Sequence, residues 1–191
     1  EIYLTNFNKE EFLIKTEEKE GYLFPDTYFF FPDTDTDMLI KTMEDNFEKQ
    51  IESLSIPLNS KYSLSEYITL ASIIEKEATI DEKERAIVSG ILHNRLDKNM
   101  LLQVDATLKY TLGKGSSELR TDDLKSDFPF NTYVHKGLPP HPIGSPGLSS
   151  ISAAMYPEST PFLFYLHDST AQIYYARTHD EHVSNKRKYL K

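Results

Sequence analysis

The sequence predicts an α+β domain with a helical core and a small antiparallel β-sheet. Three segments between residues 38 and 96 repeat apolar residues at helical spacing. Two short aromatic runs, 162–166 and 172–176, are typical of strands, and residues 167–171 would join them as a hairpin. An aromatic segment bracketed by prolines, 21–32, is typical of an edge strand or an extended arm. We therefore expect a sheet that combines this arm with the C-terminal hairpin.

Composition limits the class of protein. The 191 residues suit one domain, or one domain plus a small appendage, and a net charge of −9 argues against a nucleic-acid partner. Cysteine is absent, which excludes thiol catalysis, zinc–thiolate sites and disulfides. No apolar run approaches the roughly 20 residues of a membrane span. The first residue is Glu1 and not Met, so an anchor or export signal could have been removed.

The elements follow in order along the chain. Residues 1–19 are polar and acidic, and are interpreted as a linker or the tail of a preceding module, with the main domain at 20–191. Asp37 is expected to cap a helix over 38–54. Ser63 and Glu66 form a capping box at the start of the next helix, 64–78. Asp81 and Glu84 repeat that pattern before a helix over 82–96.

The helix over 64–78 carries two acids at its end. Glu75 falls inside its apolar stripe, whereas Glu77 falls at the margin. A buried carboxyl has a raised pKa, so Glu75 could act first as a general acid and then as a general base. The alternative is a helix end with two solvated glutamates. The stripe consists of Leu64, Tyr67, Ile68, Ala71, Ile74 and Ala78.

Two later segments carry candidate binding groups. Residues 100–108 read either as an extended segment with Gln103, Asp105 and Thr107 on one face, or as the start of a helix capped by Asp105. Residues 128–148 contain five prolines and three glycines, and a stiff loop of this length is usually functional. Its polar groups suit a sugar site: Asn131, Thr132, Tyr133 and His135.

The C-terminal part is predicted to contain a short helix at 149–155, the hairpin, and a polar helix from 179 onwards. His182 and Asn185 of that last helix could lie near the site. His135 and His141 might be read as a metal pair, but no helical histidine spacing or carboxylate signature accompanies them. We therefore expect no metal and no cofactor.

Several segments in the same order resemble the endolytic peptidoglycan transglycosylases of the MltG (YceG-like) family. They run from Glu20 to about His182, which is most of the chain. Ser145 departs from the family pattern, which has Asn before Pro-Gly at this point. The matching segments are Glu-Gly-Tyr-Leu-Phe-Pro-Asp-Thr-Tyr from Glu20, Leu-Ala-Ser-Ile-Ile-Glu-Lys-Glu from Leu70, Asn-Arg-Leu from Asn94, Leu-Gln-Val-Asp from Leu102, Phe-Asn-Thr-Tyr from Phe130, His-Lys-Gly-Leu-Pro-Pro-His-Pro-Ile from His135, and the closing Tyr-Ala-Arg from Tyr175 followed by His.

The resemblance implies a lyase that cuts the MurNAc–GlcNAc β-1,4 bond of peptidoglycan strands without water and leaves 1,6-anhydro-MurNAc ends. It also implies an N-terminal membrane anchor, a LysM-like module, a location on the extracytoplasmic face of the bacterial membrane, and work beside the cell-wall synthases. The catalytic glutamate of the family maps to Glu75. Substrate contacts are expected from Gln103, Asp105, Asn131, Thr132, Tyr133 and His135.

Two rival functions stay open at this stage. A hydrolase would use Glu75 together with Asp105 or Glu77, since most glycosidases need two carboxylates. A glycan-binding or scaffold module would bind strands without cutting them. A pyridoxal-phosphate lyase is disfavoured, because no lysine stands in a persuasive cofactor setting.

Overall fold

The computed structural model describes residues 4–55, 60–79, 81–115 and 118–190. These residues form seven α-helices and one two-stranded antiparallel sheet, which confirms the α+β prediction. The elements in chain order are α1 Lys9–Thr16, α2 Thr36–Glu52, α3 Leu64–Glu77, α4 Glu82–Asp97, α5 Asp105–Leu112, α6 Leu148–Met155, β1 Phe164–His167, β2 Ile173–Ala176 and α7 His179–Tyr189.

Helix α3 is the centre of the molecule. Every residue from 67 to 74 is buried, and α4, α5 and α6 pack around it. The predicted capping box is present: the Ser63 hydroxyl accepts the Glu66 N–H, and the Glu66 carboxylate accepts the Ser63 N–H at 2.8 Å. Because α3 is surrounded by other elements, the two glutamates in its last turn both contact protein groups. The surroundings of each glutamate depend on which neighbouring element lies on its side of the helix.

Two helix starts differ from the sequence prediction. Asp35, not Asp37, caps α2 by accepting the Met38 N–H at 2.8 Å. Asp37 lies in the first turn, where its negative charge interacts favourably with the positive end of the helix dipole. Asp81 caps α4 as predicted, but the Glu84 carboxylate accepts the Thr79 N–H rather than closing the box.

The segment 100–108 has no regular structure up to Val104 and is helical from Asp105 onwards. Val104 is the N-cap residue of α5 and Asp105 its first residue, so the helical alternative is nearer the structure, although Asp105 is not the cap. Gln103 immediately before it has a φ of 50°, in the left-handed region. An extended segment with Gln103, Asp105 and Thr107 on one face is wrong, because Thr107 is buried inside the helix.

The C-terminal hairpin is confirmed, but the aromatic arm does not join its sheet as predicted. Strands β1 and β2 pair antiparallel with Tyr165 opposite Tyr175. Residues 23–31 have no regular structure, and among the described residues the sheet contains only the hairpin. The arm lies against α2 instead, where the Phe24 N–H donates to the Met43 carbonyl at 3.3 Å, and within it Phe24 is buried and Phe29 is 95% exposed. It is held at Gly21, where φ is 94° and a Cβ atom would lie 2.6 Å from Pro142 Cγ.

The start of the chain is docked on α2. Thr5 donates its N–H to the Pro32 carbonyl at 2.8 Å, and Asn8, which caps α1, donates its N–H to the Thr36 hydroxyl at 3.0 Å. Lys15 of α1 forms an ion pair with Asp37. The assignment of residues 1–19 to a preceding module stays a prediction. Each helix in the described ranges is too short or too polar to span a bilayer.

Candidate active site

A cleft of about 370 Å³ opens where the C-terminal end of α3 meets the start of α5. Its lining includes Glu77 from α3, Arg95 from α4, Asp105 from α5, Tyr165 from β1 and Lys186 from α7. A larger groove of about 530 Å³ beside α6 has a single carboxylate in its lining, at the exposed Glu82. Convergent polar groups and the raised pKa of Glu77 mark the first cleft as the candidate active site.

Glu77 is the acid that the fold places in this cleft. Its Oε2 accepts a hydrogen bond from the Tyr165 hydroxyl at 2.8 Å, and its Oε1 accepts the Ala106 N–H at 3.3 Å. Burial raises the pKa of Glu77, and the nearby charge of Asp105 raises it further, against the opposing effect of both hydrogen bonds and of Lys109. A carboxyl in this setting keeps its proton to higher pH than a solvated glutamate does, as a general acid requires.

Glu75 lies on another side of α3, where its carboxylate contacts Arg85 and the backbone N–H of Gly147. Its Oε1 lies 3.5 Å from Arg85 Nη2, and its Oε2 accepts the Gly147 N–H at 3.2 Å. Arg85 is buried, and it also donates to the Thr79 carbonyl at 3.0 Å and to the Ser149 hydroxyl. Glu75 therefore joins α3 to α4 and to the start of α6.

The expected orientation of the two glutamates is wrong, since Glu77 and not Glu75 lines the cleft. The helical wheel placed Glu75 inside the apolar stripe and Glu77 at its margin. Because residues 67–74 are buried on every side of α3, this stripe does not mark the direction of the cleft. The first turn of α5 and the hydroxyl of Tyr165 reach Glu77 from positions 29 and 88 residues later in the chain. The assignment of catalysis to Glu75 remains a prediction without support from this geometry.

Three of the predicted binding residues do meet at the cleft: Gln103, Asp105 and Tyr133. The Tyr133 hydroxyl donates to Asp105 Oδ1 at 2.5 Å. Burial, followed by this hydrogen bond and the charge of Asp105, raises the pKa of Tyr133. The phenol therefore stays protonated and serves as a donor, while the exposed Gln103 amide is free to meet a ligand.

Asn131 and Thr132 support the loop rather than the ligand. Asn131 is fully buried, and its Nδ2 donates to the Ser126 carbonyl at 2.7 Å and to the Leu124 carbonyl at 3.2 Å. Thr132 is 2% exposed, and its hydroxyl accepts the Val104 N–H at 3.0 Å. Their burial contradicts the expectation of direct contact with sugar. Both hold the neighbouring cleft residues in place.

His135 lies away from the cleft. Its side chain is exposed, and Nε2 pairs with Asp127 Oδ1 at 2.8 Å. Asn185 of α7 is likewise engaged elsewhere, since its Nδ2 donates to the Tyr175 carbonyl at 3.2 Å. Across the described part of the chain, no three His, Asp or Glu side chains are grouped as a metal site.

The sequence analysis missed several cleft residues. Tyr165 carries no local signal that separates it from other strand tyrosines. Arg95 belongs to the polar end of the predicted helix over 82–96, which the sequence left open as either lining a cleft or facing water, and the structure places it in the cleft lining. By contrast, His179, His182 and Lys186 follow the i, i+3, i+7 spacing that places side chains on one helix face. Of these three residues, the sequence analysis placed His182 near the site, and it does line the cleft.

Comparison with known proteins identifies the family of the chain. A model of the YceG-like family matches residues 3–188. The chain is 39% identical over 173 residues to the endolytic murein transglycosylase of Bacillus subtilis, covering 90% of this chain and 48% of that protein. It is 33% identical to the endolytic murein transglycosylase of Streptococcus pneumoniae, covering 87% of this chain and 31% of that protein.

A solved structure shares the fold. The crystal structure of a yceG-like protein from Listeria monocytogenes superposes with a TM-score of 0.80 at 34% identity, covering 92% of this chain and 64% of that one. The chain thus spans about half or less of the curated relatives that it matches. Because the family model matches nearly all of its residues, the chain belongs to the YceG-like family.

Proposed function

We propose that this chain is the catalytic part of an endolytic murein transglycosylase. The enzyme cleaves the MurNAc–GlcNAc β-1,4 bond within glycan strands without water and leaves a 1,6-anhydro-MurNAc end. Support comes from the two relatives named for this activity and from the cleft, where a buried acid faces groups suited to a sugar. The observation that carries the proposal is the position of Glu77, hydrogen-bonded to Tyr165 on one side and open to the cleft on the other.

Glu77 supplies the proton for the reaction. The protonated carboxyl gives its proton to the glycosidic oxygen, and the bond from that oxygen to C1 of MurNAc breaks. The resulting carboxylate takes the proton from the 6-hydroxyl of the same sugar, and O6 bonds to C1. The Glu77 carboxyl is thereby regenerated. Because the substrate supplies its own nucleophile, one carboxyl replaces the usual glycosidase pair.

The other cleft groups hold the sugar. The Gln103 amide and the Tyr133 hydroxyl are placed to bind sugar hydroxyls or N-acetyl groups, since both line the cleft beside Glu77. Asp105 orients Tyr133 and adds negative charge next to the acid. A glycosyl cation gains stability from such negative charge, so Asp105 would favour the charged transition state.

Residues 20–191 are proposed as the catalytic domain and 1–19 as its connection to a preceding module. Since murein lies outside the cytoplasm, the site of action is extracytoplasmic, and we propose a membrane anchor in the longer protein. Peptidoglycan strands are the substrate, and cell-wall synthases are the proposed protein partners. Neither nucleic acid, metal nor cofactor has a role in this mechanism.

The test compares two matched variants, Glu77→Gln and Glu75→Gln, on purified peptidoglycan strands. Mass spectrometry identifies the new chain ends. We expect Glu77→Gln to lower the rate about 10²–10⁴-fold, the usual contribution of general acid–base catalysis. Glu75→Gln should keep most of the activity but lower the Tm, because it removes the carboxylate that faces the buried Arg85.

Each other outcome points to a different function. If Glu77→Gln were fully active and Glu75→Gln were folded but inactive, Glu75 would be the catalytic acid. Reducing ends in place of anhydro ends would identify a hydrolase, in which Asp105 could act with Glu77 because both line the same cleft. Strand binding by the wild type without any cleavage would identify a scaffold module.

A further inference from the structure

The cleft has two chemically different walls. Glu77 and Asp105, with their tyrosine partners Tyr165 and Tyr133, form the acidic wall. Helix α7 contributes a second, basic wall with His179, His182 and Lys186, while its acidic residues Asp180 and Glu181 do not line the cleft. The proposed acid–base chemistry uses only the acidic wall. The basic wall therefore needs another explanation.

Arg95 gives this basic wall a fixed positive charge. The residue is 7% exposed, yet it lines the cleft. Its guanidinium donates to the carbonyls of Leu163 at 2.6 Å, Leu102 at 2.7 Å and Leu101 at 3.2 Å. Among the residues that the structure describes, no carboxylate forms an ion pair with it. Buried charges are normally paired, so a guanidinium held only by neutral carbonyls retains its attraction for an anion.

Phe164 links Arg95 to the histidines of α7. The guanidinium carbon of Arg95 lies 4.8 Å from the centre of the Phe164 ring. The His182 ring stacks on the same Phe164 ring, with 5.3 Å between the two ring centres. Burial, then the charges of Lys186 and Arg95, lower the pKa of His182 to about 4. His182 is thus uncharged at neutral pH. Arg95 and Lys186 are the side chains of this wall that carry a permanent positive charge at neutral pH.

We propose that the basic wall formed by Arg95, His182 and Lys186 is a subsite for a carboxylate carried by the glycan strand. This inference rests on the proposed function and adds the chemical class that the cleft selects. Arg95 lies deepest and is held rigidly, whereas Lys186 is an exposed side chain at the rim. A murein strand offers such a carboxylate from two sources: the lactyl group of a muramic acid without peptide, or the acidic residues of an attached stem peptide.

The experiment measures binding and cleavage of four fluorescently labelled strands. Two carry stem peptides and two are peptide-free, and in one of each pair the carboxylates are converted to neutral methylamides. Binding is measured by fluorescence anisotropy in the Glu77→Gln background, and cleavage in the otherwise unchanged protein. The variant is Lys186→Met. Its control is Lys188→Met on the same helix, because Lys188 is exposed and is absent from the cleft lining.

We expect Lys186→Met to weaken binding of strands with free carboxylates roughly tenfold, in line with a charge-assisted hydrogen bond. It should raise KM more than it lowers kcat, and leave binding of the methylamide strands unchanged. Lys186→Glu should weaken anionic strands further while sparing neutral ones. Discrimination only among peptide-free strands identifies the lactyl carboxylate, and discrimination only among peptide-bearing strands identifies the stem peptide.

Equal binding of free and neutralised strands by the wild type would overturn the subsite, as would equal effects of Lys186→Met and Lys188→Met. Failure of the proposed function looks different. In that case the unchanged protein would leave all four strands uncut, whereas the binding measurement would still decide whether the basic wall selects carboxylates.

Discussion

Two glutamates that are two positions apart in one helix have different surroundings. Glu75 faces a guanidinium and the backbone N–H of Gly147, whereas Glu77 faces a phenol, the start of α5 and the carboxylate of Asp105. The pKa of Glu77 is therefore set by opposing influences from identifiable neighbours. Removing them one at a time should move its titration in opposite directions.

Tyr165→Phe removes a hydrogen bond that favours the ionised form of Glu77. The pKa of Glu77 should rise, because only the charged form loses a partner. Since the general acid must be protonated, kcat/KM falls as pH rises through this pKa. The alkaline limb of the pH–rate profile should consequently move to higher pH. Tyr174→Phe is the control, because its hydroxyl bonds to Asp168 outside the cleft. An unchanged or lowered limb in Tyr165→Phe would contradict the assignment.

Asp105→Asn should change the pKa of Glu77 in the opposite direction to Tyr165→Phe. It removes a negative charge that raises the pKa of Glu77, while the amide oxygen can still accept from the Tyr133 hydroxyl. The pKa of Glu77 should fall, and the alkaline limb of kcat/KM should move to lower pH. The matched control is Asp127→Asn, whose carboxylate pairs with His135 away from the cleft. If both cleft variants shifted the limb in the same direction, Glu77 would not be the titrating acid.

At the level of elements, the position of β1 depends on the segment before it, which lies along α4. Gly90 of α4 allows this approach: a Cβ atom there would lie 2.1 Å from the Glu158 carbonyl oxygen. Glu158 in turn donates its N–H to the Ala86 carbonyl at 3.0 Å. Six residues after Glu158, β1 begins with Phe164 and leads directly to Tyr165. The contact at Gly90 therefore helps to place the phenol that bonds to Glu77.

Gly90→Ala should destabilise the protein, although alanine is the better helix former by roughly 1 kcal/mol. The added methyl group meets backbone, and overpacking of this kind typically costs about 1–3 kcal/mol. We expect a lower urea midpoint with an unchanged m-value, and a lower kcat from the displaced β1. Lys83→Ala on the exposed side of α4 should change stability by less than about 0.5 kcal/mol. A raised midpoint in Gly90→Ala would refute the close contact.

Local sequence signals predicted several of the helices, the hairpin and two of the three helix caps that were named. The Ser63 capping box, the Asp81 cap, the hairpin and the polar C-terminal helix are all present. The cap of α2 was misplaced by two residues, because Asp35 and Asp37 both suit a helix start and only the fold selects between them. Capping depends on a few neighbouring atoms, which is why sequence alone carries most of it.

At the scale of the whole molecule, the sequence could not predict which side chains meet. The cleft joins residues from α3, α4, α5, the loop after α5, β1 and α7, and these positions are brought together only by tertiary packing. The aromatic arm shows the same limit. Its composition suits a strand, but the fold uses Phe24 as a core residue and leaves Phe29 and Phe31 exposed. Propensity describes what a segment can do, and burial against distant partners decides what it does.

The long sequence separation between Glu77 and Tyr165 also has a temporal consequence. A ribosome makes the acid long before the phenol that orients it and the helix that closes the cleft. Until residues 164–190 have been synthesised and have docked, the growing polypeptide holds a carboxyl group with no functioning cleft around it. The cleft around Glu77 can therefore assemble only after the last helix has been made, because His179, His182 and Lys186 of that helix form part of its lining.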